Sequence, residues 1–347
     1  MITVALLPGD GVGSEVLDGP AQLLAELSRR DLIRVTGPWP VGASSFAATG
    51  EGLPADTMRA CEQADAILLG AVGEHPGVSL AGYRPELALI GLREHFDLRV
   101  SVRQVWRGGA APLTFVRNLL GGAYGNNRIE SNGSGPASDT VELTPERIRE
   151  LADIAIGYVK ASGAQLISVD KANLLATSRL WRLLVSDAAD AAGIPVRHVY
   201  VDRMAYELGC MSPPEAVVLT EGLFGDILSD LSSGRAGSIA LCGSASVRPA
   251  GRDNPARCVG LFEPVHGSAP LRAGQNKVNP VGGYLALAML LEWFDETEKV
   301  APSVRQAVAD AVNAPPLTYD MAVPGDPVAS TSELSARINA AFRERWG

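Results

Sequence analysis

The sequence of 347 residues is poor in lysine, in clustered basic charge, in cysteine and in long apolar runs. No stretch of 18 apolar residues occurs, which argues against a membrane-spanning helix. The net charge is −9 and there is no basic tract, so nucleic acids and anionic membranes are not expected as partners. The four cysteines are scattered without metal-ligand spacing, which indicates free thiols and a cytoplasmic location.

Lysine is especially scarce, because the 30 basic residues comprise four lysines (Lys160, Lys171, Lys277 and Lys299) and hence 26 arginines. Arginine keeps its proton at working pH and lysine can lose it, so each lysine is a candidate for proton transfer. A length of 347 residues suits one large or two medium domains, and a hydrophobic content of 46% with 20% charged residues is typical of a globular chain. The apolar stretch at 2–7 is expected to be a first strand rather than a signal peptide.

Short apolar runs alternate with segments of helical periodicity, which favours an α/β fold with a largely parallel core sheet. Strands are expected at 3–7, 66–71, 114–116, 165–169, 196–201 and 216–219. Helices are expected at 14–29 with Ser14 as N-cap, at 86–95, after a Thr144 cap, from the 165–169 strand through Leu183, and near 282–294, 303–312 and 332–346. The stretches 125–139 and 248–257 are rich in turn-forming and polar residues and are expected to be loops or arms.

The most informative stretch is 220–230, where a buried strand runs into a helical pattern that carries Asp226 and Asp230. The two residues are four apart, so both carboxylates project from one helix face. Because their neighbours are apolar or small, the pair is expected to need a counter-ion or a metal, and oxygen ligands suit Mg²⁺ or Mn²⁺. A solvated face or a helix cap is the alternative interpretation of the pair taken alone.

Other residue patterns suggest a polyanionic ligand and proton transfer. Arg93, Arg103 and Arg117 stand near predicted helix or strand ends, and three guanidinium groups would fit a di- or tricarboxylate. Tyr124 follows a glycine pair and could donate a proton. Taken singly, an arginine in a chain with 26 of them is expected to form a surface ion pair, and a tyrosine is expected to pack.

Further candidates lie at turns and strand ends. Lys171 follows a buried strand, where sites in α/β proteins usually lie, and could act as a base. Asp202 is a second acid at a strand end. The loop 263–270, with His266, offers backbone N–H groups to a nucleotide and has no zinc-type spacing. The glycine-rich turn at 6–13 does not match the dinucleotide fingerprint and is either a tight turn or a close approach to a ligand.

Four ordered segments together resemble the β-decarboxylating dehydrogenases, which include isopropylmalate, isocitrate, homoisocitrate and tartrate dehydrogenases. They are Leu-Pro-Gly-Asp-Gly at 7–11, Val-Asp-Lys-Ala-Asn at 169–173, Phe-Gly-Asp-Ile-Leu-Ser-Asp at 224–230 and Glu-Pro-Val-His-Gly-Ser-Ala-Pro at 263–270. The resemblance spans nearly the whole chain. It implies two α/β domains with a dimerisation arm: a cofactor domain of 1–98 with 241–347, and a metal, catalytic and dimer-interface domain of 99–240.

The resemblance also implies roles for the candidate residues. Arg93, Arg103 and Arg117 would hold the carboxylates of a malate. Asp226 and Asp230 would bind Mg²⁺ or Mn²⁺, joined by Asp202 from the second subunit of a homodimer. Lys171, also from across the dimer, would take the hydroxyl proton, and Tyr124 would return a proton to carbon. Asn173 and Glu86 would lie near the substrate and the nicotinamide, and the cofactor site would be lined by Glu263, His266, Gly267, Ser268, Ala269 and Asn279.

The substrate is less firmly indicated than the reaction. Leu89 and Ile90 on the helix before Arg93, with Leu174, favour the apolar side group of a 3-isopropylmalate-like substrate. The chain departs from the family pattern at Arg99, Gln104, Asn118 and Gly222 and in a shortened 106–112 connection. A paralogue acting on another malate (homoisocitrate, tartrate or a phosphonate-bearing malate) is therefore an alternative. A non-catalytic regulatory homologue is a further alternative, but the retained lysine, tyrosine and aspartates oppose it.

The cofactor is expected to be NADP or NAD, with a lean to NADP. NAD enzymes of the family carry an Asp just after the His-Gly-Ser-Ala-Pro loop, where this chain has Leu271 followed by Arg272. The segment 273–280 and the Thr-Tyr-Asp run that contains Tyr319 are similar to those of the NADP-dependent isocitrate enzymes. Loss of a carboxylate and gain of Arg272 favour a 2′-phosphate electrostatically.

Overall fold

A computed structural model describes residues 1–75, 77, 82–106, 112–125, 128–210, 215–249 and 257–346. Most of the 248–257 stretch and the interior of the 106–112 connection lie outside the described residues, so the expectations for them stay predictions. Within the described ranges, none of the helices has both the length and the apolar character that crossing a membrane requires.

The chain folds into two units. The first comprises Met1–Asp97, Gly237–Ser246 and Asp253–Gly347, and the second comprises Leu98–Ala236 and Val247–Arg252. The roles assigned to the predicted domains, 1–98 with 241–347 for the cofactor and 99–240 for the metal, stay predictions.

The first unit is built on strands in the order β2-β1-β3-β12-β11, and the β1–β2, β1–β3 and β3–β12 pairs are parallel. Numbered in chain order, these strands are β1 (Ile2–Gly9), β2 (Ile33–Thr36), β3 (Ala66–Ala71), β11 (Cys242–Val247) and β12 (Gly260–Pro264). The helices are α1 (Gly13–Arg29), α2 (Ala43–Thr49), α3 (Ala55–Gln63), α4 (Glu86–His95), α9 (Val281–Glu292), α10 (Ala301–Val312) and α11 (Thr331–Trp346). Helix α9 is apolar on every side and is buried from Val281 to Leu291, so it forms part of the core.

The second unit has the strand order β4-β5-β10-β8-β9, in which only the β4–β5 pair is antiparallel. Its strands are β4 (Val100–Val105), β5 (Leu113–Asn118), β8 (Gln165–Asp170), β9 (Val196–Tyr200) and β10 (Ala216–Thr220). Its helices are α5 (Pro145–Ser162), α6 (Ala176–Ala192), α7 (Val201–Cys210) and α8 (Gly222–Ala236). The predicted α/β fold with a mostly parallel sheet is thus confirmed.

Several local predictions can be checked against these bounds. Thr144 caps α5 as predicted, since its Oγ1 accepts from the Arg147 N–H at 3.3 Å. Ser14 as the cap of α1 is wrong: the helix already begins at Gly13, after a turn in which Gly13 N–H donates to the Asp10 carbonyl. Within 125–139 the chain forms the antiparallel strands β6 (Arg128–Ile129) and β7 (Ser138–Asp139). Its role in dimerisation stays a prediction.

The glycine-rich turn after β1 contains Asp10, which is fully buried. Its carboxylate accepts from the backbone N–H groups of Ala43 and Ser44, both at 2.8 Å, and of Gly73 at 3.1 Å. A buried carboxylate is tolerated when it is hydrogen-bonded in this way. The side chain thus ties the start of α2 and the end of β3 to the turn.

We therefore expect Asp10→Ala to lower the free energy of unfolding by about 3 kcal/mol, because three buried N–H groups lose their acceptor. Asp10→Asn keeps one acceptor oxygen and should lose less. Asp18→Ala, which removes an exposed carboxylate of α1, is the control and should stay within about 0.5 kcal/mol of the wild type. Urea unfolding of the three variants measures this, and equal stability of Asp10→Ala and Asp18→Ala would contradict it.

Candidate active site

Two arginines leave the same face of the β4–β5 pair. Arg103 lies opposite Phe115 in the register, and Arg117 is two residues further along β5. Diagonal neighbours of this kind on adjacent strands are close enough for long side chains to share a partner. Both side chains are largely buried, at 13% and 6% exposure, so each guanidinium group needs an anion nearby.

Helix α8 supplies that anion. Asp226 Oδ1 lies 3.0 Å from Arg103 Nη2 and 2.9 Å from Arg117 Nη2. Asp230, one turn later, lies 2.9 Å from Arg103 Nη1 through its own Oδ1. The predicted arginine pair and the predicted acid pair are therefore in direct contact.

Tyr124 joins this cluster, since its hydroxyl group donates to Asp226 Oδ2 at 3.0 Å. Partial burial, followed by the charge and hydrogen bond of Asp226, raises the pKa of Tyr124 to about 12. The phenol is thus protonated at neutral pH and can serve as a proton donor.

Ser229 belongs to the same cluster and was missed from the sequence. Its Oγ accepts from Arg103 Nη1 at 2.8 Å and donates to the Asp226 carbonyl at 3.0 Å. The signal was available, because position 229 is three residues after Asp226 and so lies on the same helix face.

Glu221 was also missed, and it is a largely buried acid at the start of α8. Its Oε1 accepts from the Phe224 N–H at 3.0 Å, which caps the helix. Burial raises the pKa of this carboxyl group. Its position directly before a helical pattern was the signal for a cap.

Close packing leaves no room for a side chain at Gly222. A Cβ atom there would lie 2.7 Å from the Asn118 carbonyl oxygen and 3.3 Å from the Tyr124 ring. The Gly222 carbonyl also accepts from Arg117 Nη1 at 3.1 Å. The departure from the family pattern at this position therefore lets the tyrosine ring lie against the start of α8.

Lys171 and Asp202 form a second cluster in the same unit. Lys171 follows β8 and Asp202 lies in the first turn of α7, just after the neighbouring strand β9, and the two side chains form an ion pair. The hydrogen bond from Lys171 holds the pKa of the Asp202 carboxyl group below its usual value. Asn173 and Leu174 follow in an exposed turn, with Leu174 69% exposed.

The donor chemistry of Asp226 and Asp230 fits a hard divalent cation, which prefers carboxylate oxygens. Burial raises the pKa of Asp230 although Arg103 lowers it, and the charge of Asp226 adds to the rise, so a further cation there would be favourable. Among the residues that the structure describes, no group of three or more His, Cys, Asp and Glu side chains is placed to hold a metal ion. Asp226 and Asp230 are the two carboxylates that α8 places beside Arg103.

In the first unit, the glycine-rich turn meets the His-Gly-Ser loop. Val12 N–H donates to the Ser268 carbonyl at 2.9 Å, and Gly11 N–H donates to His75 Nδ1 at 3.0 Å. A Cβ atom on Gly11, whose φ is +56°, would lie 2.0 Å from the Ser268 carbonyl oxygen. Burial lowers the pKa of His266, which favours a neutral imidazole. The turn is therefore a tight turn packed on this loop.

The remaining predicted residues of this unit fall into three groups. Arg93 and Glu263, predicted to bind the substrate and the cofactor respectively, pair with each other at 2.8 Å. Arg272 lies over the Tyr319 ring at 4.2 Å from its centroid, while Asn279 donates to Asp320 at 3.0 Å. The remaining members lie at the surface: Glu86, Ile90 and Gly267 are exposed, and Leu89 and Ala269 are partly exposed.

The comparisons with known proteins agree with this fold. The isocitrate/isopropylmalate dehydrogenase family model matches residues 3–338. A 3-isopropylmalate dehydrogenase of Desulfitobacterium hafniense (strain Y51) is 34% identical over 360 aligned residues, covering 99% of this chain and 100% of that protein. One of Synechococcus sp. (strain CC9605) is 39% identical over 331 residues, covering 90% of each.

Solved structures are similar as well. The apo β-decarboxylating dehydrogenase of Thermococcus kodakarensis has a TM-score of 0.82 and 32% identity, covering 99% of this chain and 97% of that one. The fold and the whole-chain matches define an oxidoreductase of the β-decarboxylating dehydrogenase class. The chain belongs to the isocitrate/isopropylmalate dehydrogenase family.

The packing at Gly222 leads to a sharp test. Gly222→Ala should displace the Tyr124 ring or the Asn118 backbone, and we expect kcat of the dehydrogenase reaction to fall about tenfold or more. Stability should fall by about 1–3 kcal/mol because the site is overpacked.

Gly234→Ala is the matched control on the same helix, since a Cβ atom there meets nothing within 4 Å. It should leave kcat unchanged and raise stability by up to about 1 kcal/mol. Steady-state kinetics and thermal unfolding measure both variants. An unchanged kcat in Gly222→Ala would show that the close approach has no part in catalysis.

Proposed function

We propose that the enzyme oxidatively decarboxylates a 3-substituted malate to a 2-oxo acid and CO₂ with reduction of NAD(P). The observation that carries this proposal is the convergence of Arg103 and Arg117 on Asp226 beside the Tyr124 hydroxyl group. This chemistry needs guanidinium groups that bind the substrate carboxylates, a pair of carboxylates that binds a metal cation, and a protonated phenol that donates a proton.

Each residue has a role in this proposal. Arg103 and Arg117, with Arg93, bind the substrate carboxylates. Lys171 accepts the proton of the C2 hydroxyl group, and Tyr124 delivers a proton to C3 after CO₂ leaves. The base and the acid are separate residues because they act on different atoms.

Asp226 and Asp230 would hold Mg²⁺ or Mn²⁺, with Asp202 from a second copy of the chain. When bound, the cation supplies Lewis-acid polarisation of the C2 oxygen, and the nicotinamide supplies the hydride acceptor. The residues of this chain would hold the substrate in one orientation, which is what loss of CO₂ from C3 and of hydride from C2 would require.

A homodimer follows from the same proposal, because Lys171 and Asp202 pair with each other rather than with the Asp226 cluster. Apolar and aromatic side chains are exposed on α7 and α8: Tyr206 at 58%, Leu223 at 38% and Ile227 at 60%. A second copy that covered these side chains could bring its Lys171 and Asp202 to the Asp226 cluster.

The first choice of substrate is 3-isopropylmalate. Relatives that match along nearly the whole chain are named 3-isopropylmalate dehydrogenase. The side chains of Leu89, Ile90 and Leu174 are apolar, and Ile90 and Leu174 are exposed, so they could receive an apolar 3-substituent. The packing of Asn118, Gly222 and Tyr124 keeps a different 3-substituted malate as the second candidate.

NADP is the proposed cofactor. Arg272 follows the 263–270 loop in the sequence. Its guanidinium group lies over the Tyr319 ring, and this contact holds it in place. Leu271, at 90% exposure, stands where a carboxylate would otherwise repel a 2′-phosphate. A guanidinium group held in this way, with Leu271 in place of an acid before it, favours the phosphorylated ribose.

A panel of malates tests the reaction and the substrate. With Mg²⁺ and NADP, the purified enzyme should form NADPH faster with 3-isopropylmalate than with isocitrate, homoisocitrate or tartrate, and chelation of the metal should abolish the reaction. Lys171→Ala should lower kcat about a hundredfold or more because the general base is lost. Lys299→Ala is the control for loss of a lysine. Faster turnover of isocitrate would overturn the substrate assignment, and no turnover of any malate would overturn the reaction.

Arg272→Gln tests the cofactor. It should lower the ratio of kcat/KM for NADP to that for NAD about tenfold, because a charge-assisted contact to the 2′-phosphate is lost. Arg59→Gln removes an arginine whose side chain is 64% exposed and should leave the ratio unchanged. A wild-type preference for NAD would contradict the proposal for NADP.

A further inference from the structure

Lys171 is preceded by a buried acid that the reaction does not use. The Asp170 side chain is 1% exposed, and its two oxygens accept from Arg182 Nε at 2.8 Å and from Arg182 Nη2 at 2.9 Å. Asp170 Oδ1 also accepts from the Ala172 N–H at 2.8 Å. The carboxylate therefore fixes the residue after Lys171 and ties the end of β8 to α6.

The backbone of Lys171 is held by the same helix. Its N–H donates to Ser178 Oγ at 3.1 Å, in the first turns of α6. Lys171 is thus fixed on both sides, through its own N–H and through the Asp170 carboxylate. These two contacts fix the backbone of Lys171 and leave the direction of its side chain open.

Arg182 also contacts the neighbouring strand. Its guanidinium carbon lies 5.0 Å from the centroid of the Tyr200 ring. Tyr200 ends β9 and is the register partner of Asp170 at the end of β8, and Asp202 follows two residues later. A single guanidinium group therefore touches both strand ends from which Lys171 and Asp202 leave the sheet.

We propose that Arg182 is a positioning residue, which holds the ends of β8 and β9 in register through Asp170 and Tyr200 and so fixes the Lys171–Asp202 pair. Part of this inference rests on the proposed function, since it matters for catalysis only if Lys171 is the base. The placement of the pair does not depend on that function. An arginine suits this task because its planar fork can bind a carboxylate with two donors while its face lies on an aromatic ring.

Because the chain has four lysines, the chemical reactivity of Lys171 can be compared with that of the other three. This reactivity reports on the Lys171–Asp202 pair without an activity assay. Acetylation with acetic anhydride, followed by mass spectrometry, gives the rate at Lys171 relative to Lys160, Lys277 and Lys299 in the same sample. Arg182→Gln should raise this relative rate severalfold, because Lys171 is released from Asp202. Tyr200→Leu keeps the buried ion pair intact, so it is the variant to use if Arg182→Gln does not fold. It should raise the rate in the same direction.

Kinetics on the same proteins test the catalytic part. We expect kcat to fall about tenfold in Tyr200→Leu and further in Arg182→Gln, with KM for NADP unchanged. Arg182→Lys should recover part of the loss, since it returns one donor to Asp170. Arg305→Gln is the matched control, because it breaks the two-donor pair with Glu292, at 2.7 and 2.6 Å, in the other unit. It should change neither readout.

The outcomes separate the two proposals. An unchanged acetylation rate at Lys171 in folded Tyr200→Leu and Arg182 variants would overturn the positioning role. A raised rate with unchanged kcat would support the placement of the pair and would overturn the catalytic part of the inference. A raised rate in an enzyme whose wild type oxidises no malate would contradict the proposed function and leave the placement of the pair supported.

Discussion

The ion pairs of Asp226 with Arg103 and Arg117 constrain much of the second unit. Both guanidinium groups sit on β-strands and are largely removed from water, so loss of their carboxylate partner would leave two poorly solvated charges unpaired. Helix α8 must therefore start close enough to β5 to deliver a carboxylate. That approach sets the packing of Gly222 against Asn118 and Tyr124, so one electrostatic requirement determines a backbone position and the placement of the phenol.

Much of the fold could be predicted from periodicity and turn residues. The predicted β3 and α4 have the bounds of the structure, because an apolar run or an amphipathic segment is there enclosed by clear turns. Strand β4 was missed because its sequence carries Ser101, Arg103 and Gln104, whose burial depends on contacts with the rest of the unit. Ser14 failed as a cap because backbone hydrogen bonds with distant residues, rather than a local side chain, fix the turn before α1.

The residue types of the site could be predicted from the sequence, but the contacts between those residues could be predicted less well. Spacing placed Asp226 and Asp230 on one helix face, but their contact with Arg103 joins residues 127 positions apart, in the case of Asp230, and no periodicity encodes it. The pairing of Lys171 with Asp202 follows from the parallel register of β8 and β9, which only the fold supplies. Glu221 and Ser229 carried local signals, but their importance depends on what packs against them.

The use of arginine and lysine follows their proton chemistry. Arginine, abundant in this chain, stays charged and presents a rigid fork, so it suits carboxylates that must be held and not titrated. In the structure, Asp226 pairs with the two guanidinium groups that a substrate carboxylate would need. If a substrate replaces Asp226 on Arg103 and Arg117, the two aspartates lose their counter-ions, and a divalent cation can supply them. Charge pairing is then conserved on binding, so a charged substrate can enter a partly desolvated site without leaving either the arginines or the aspartates unpaired.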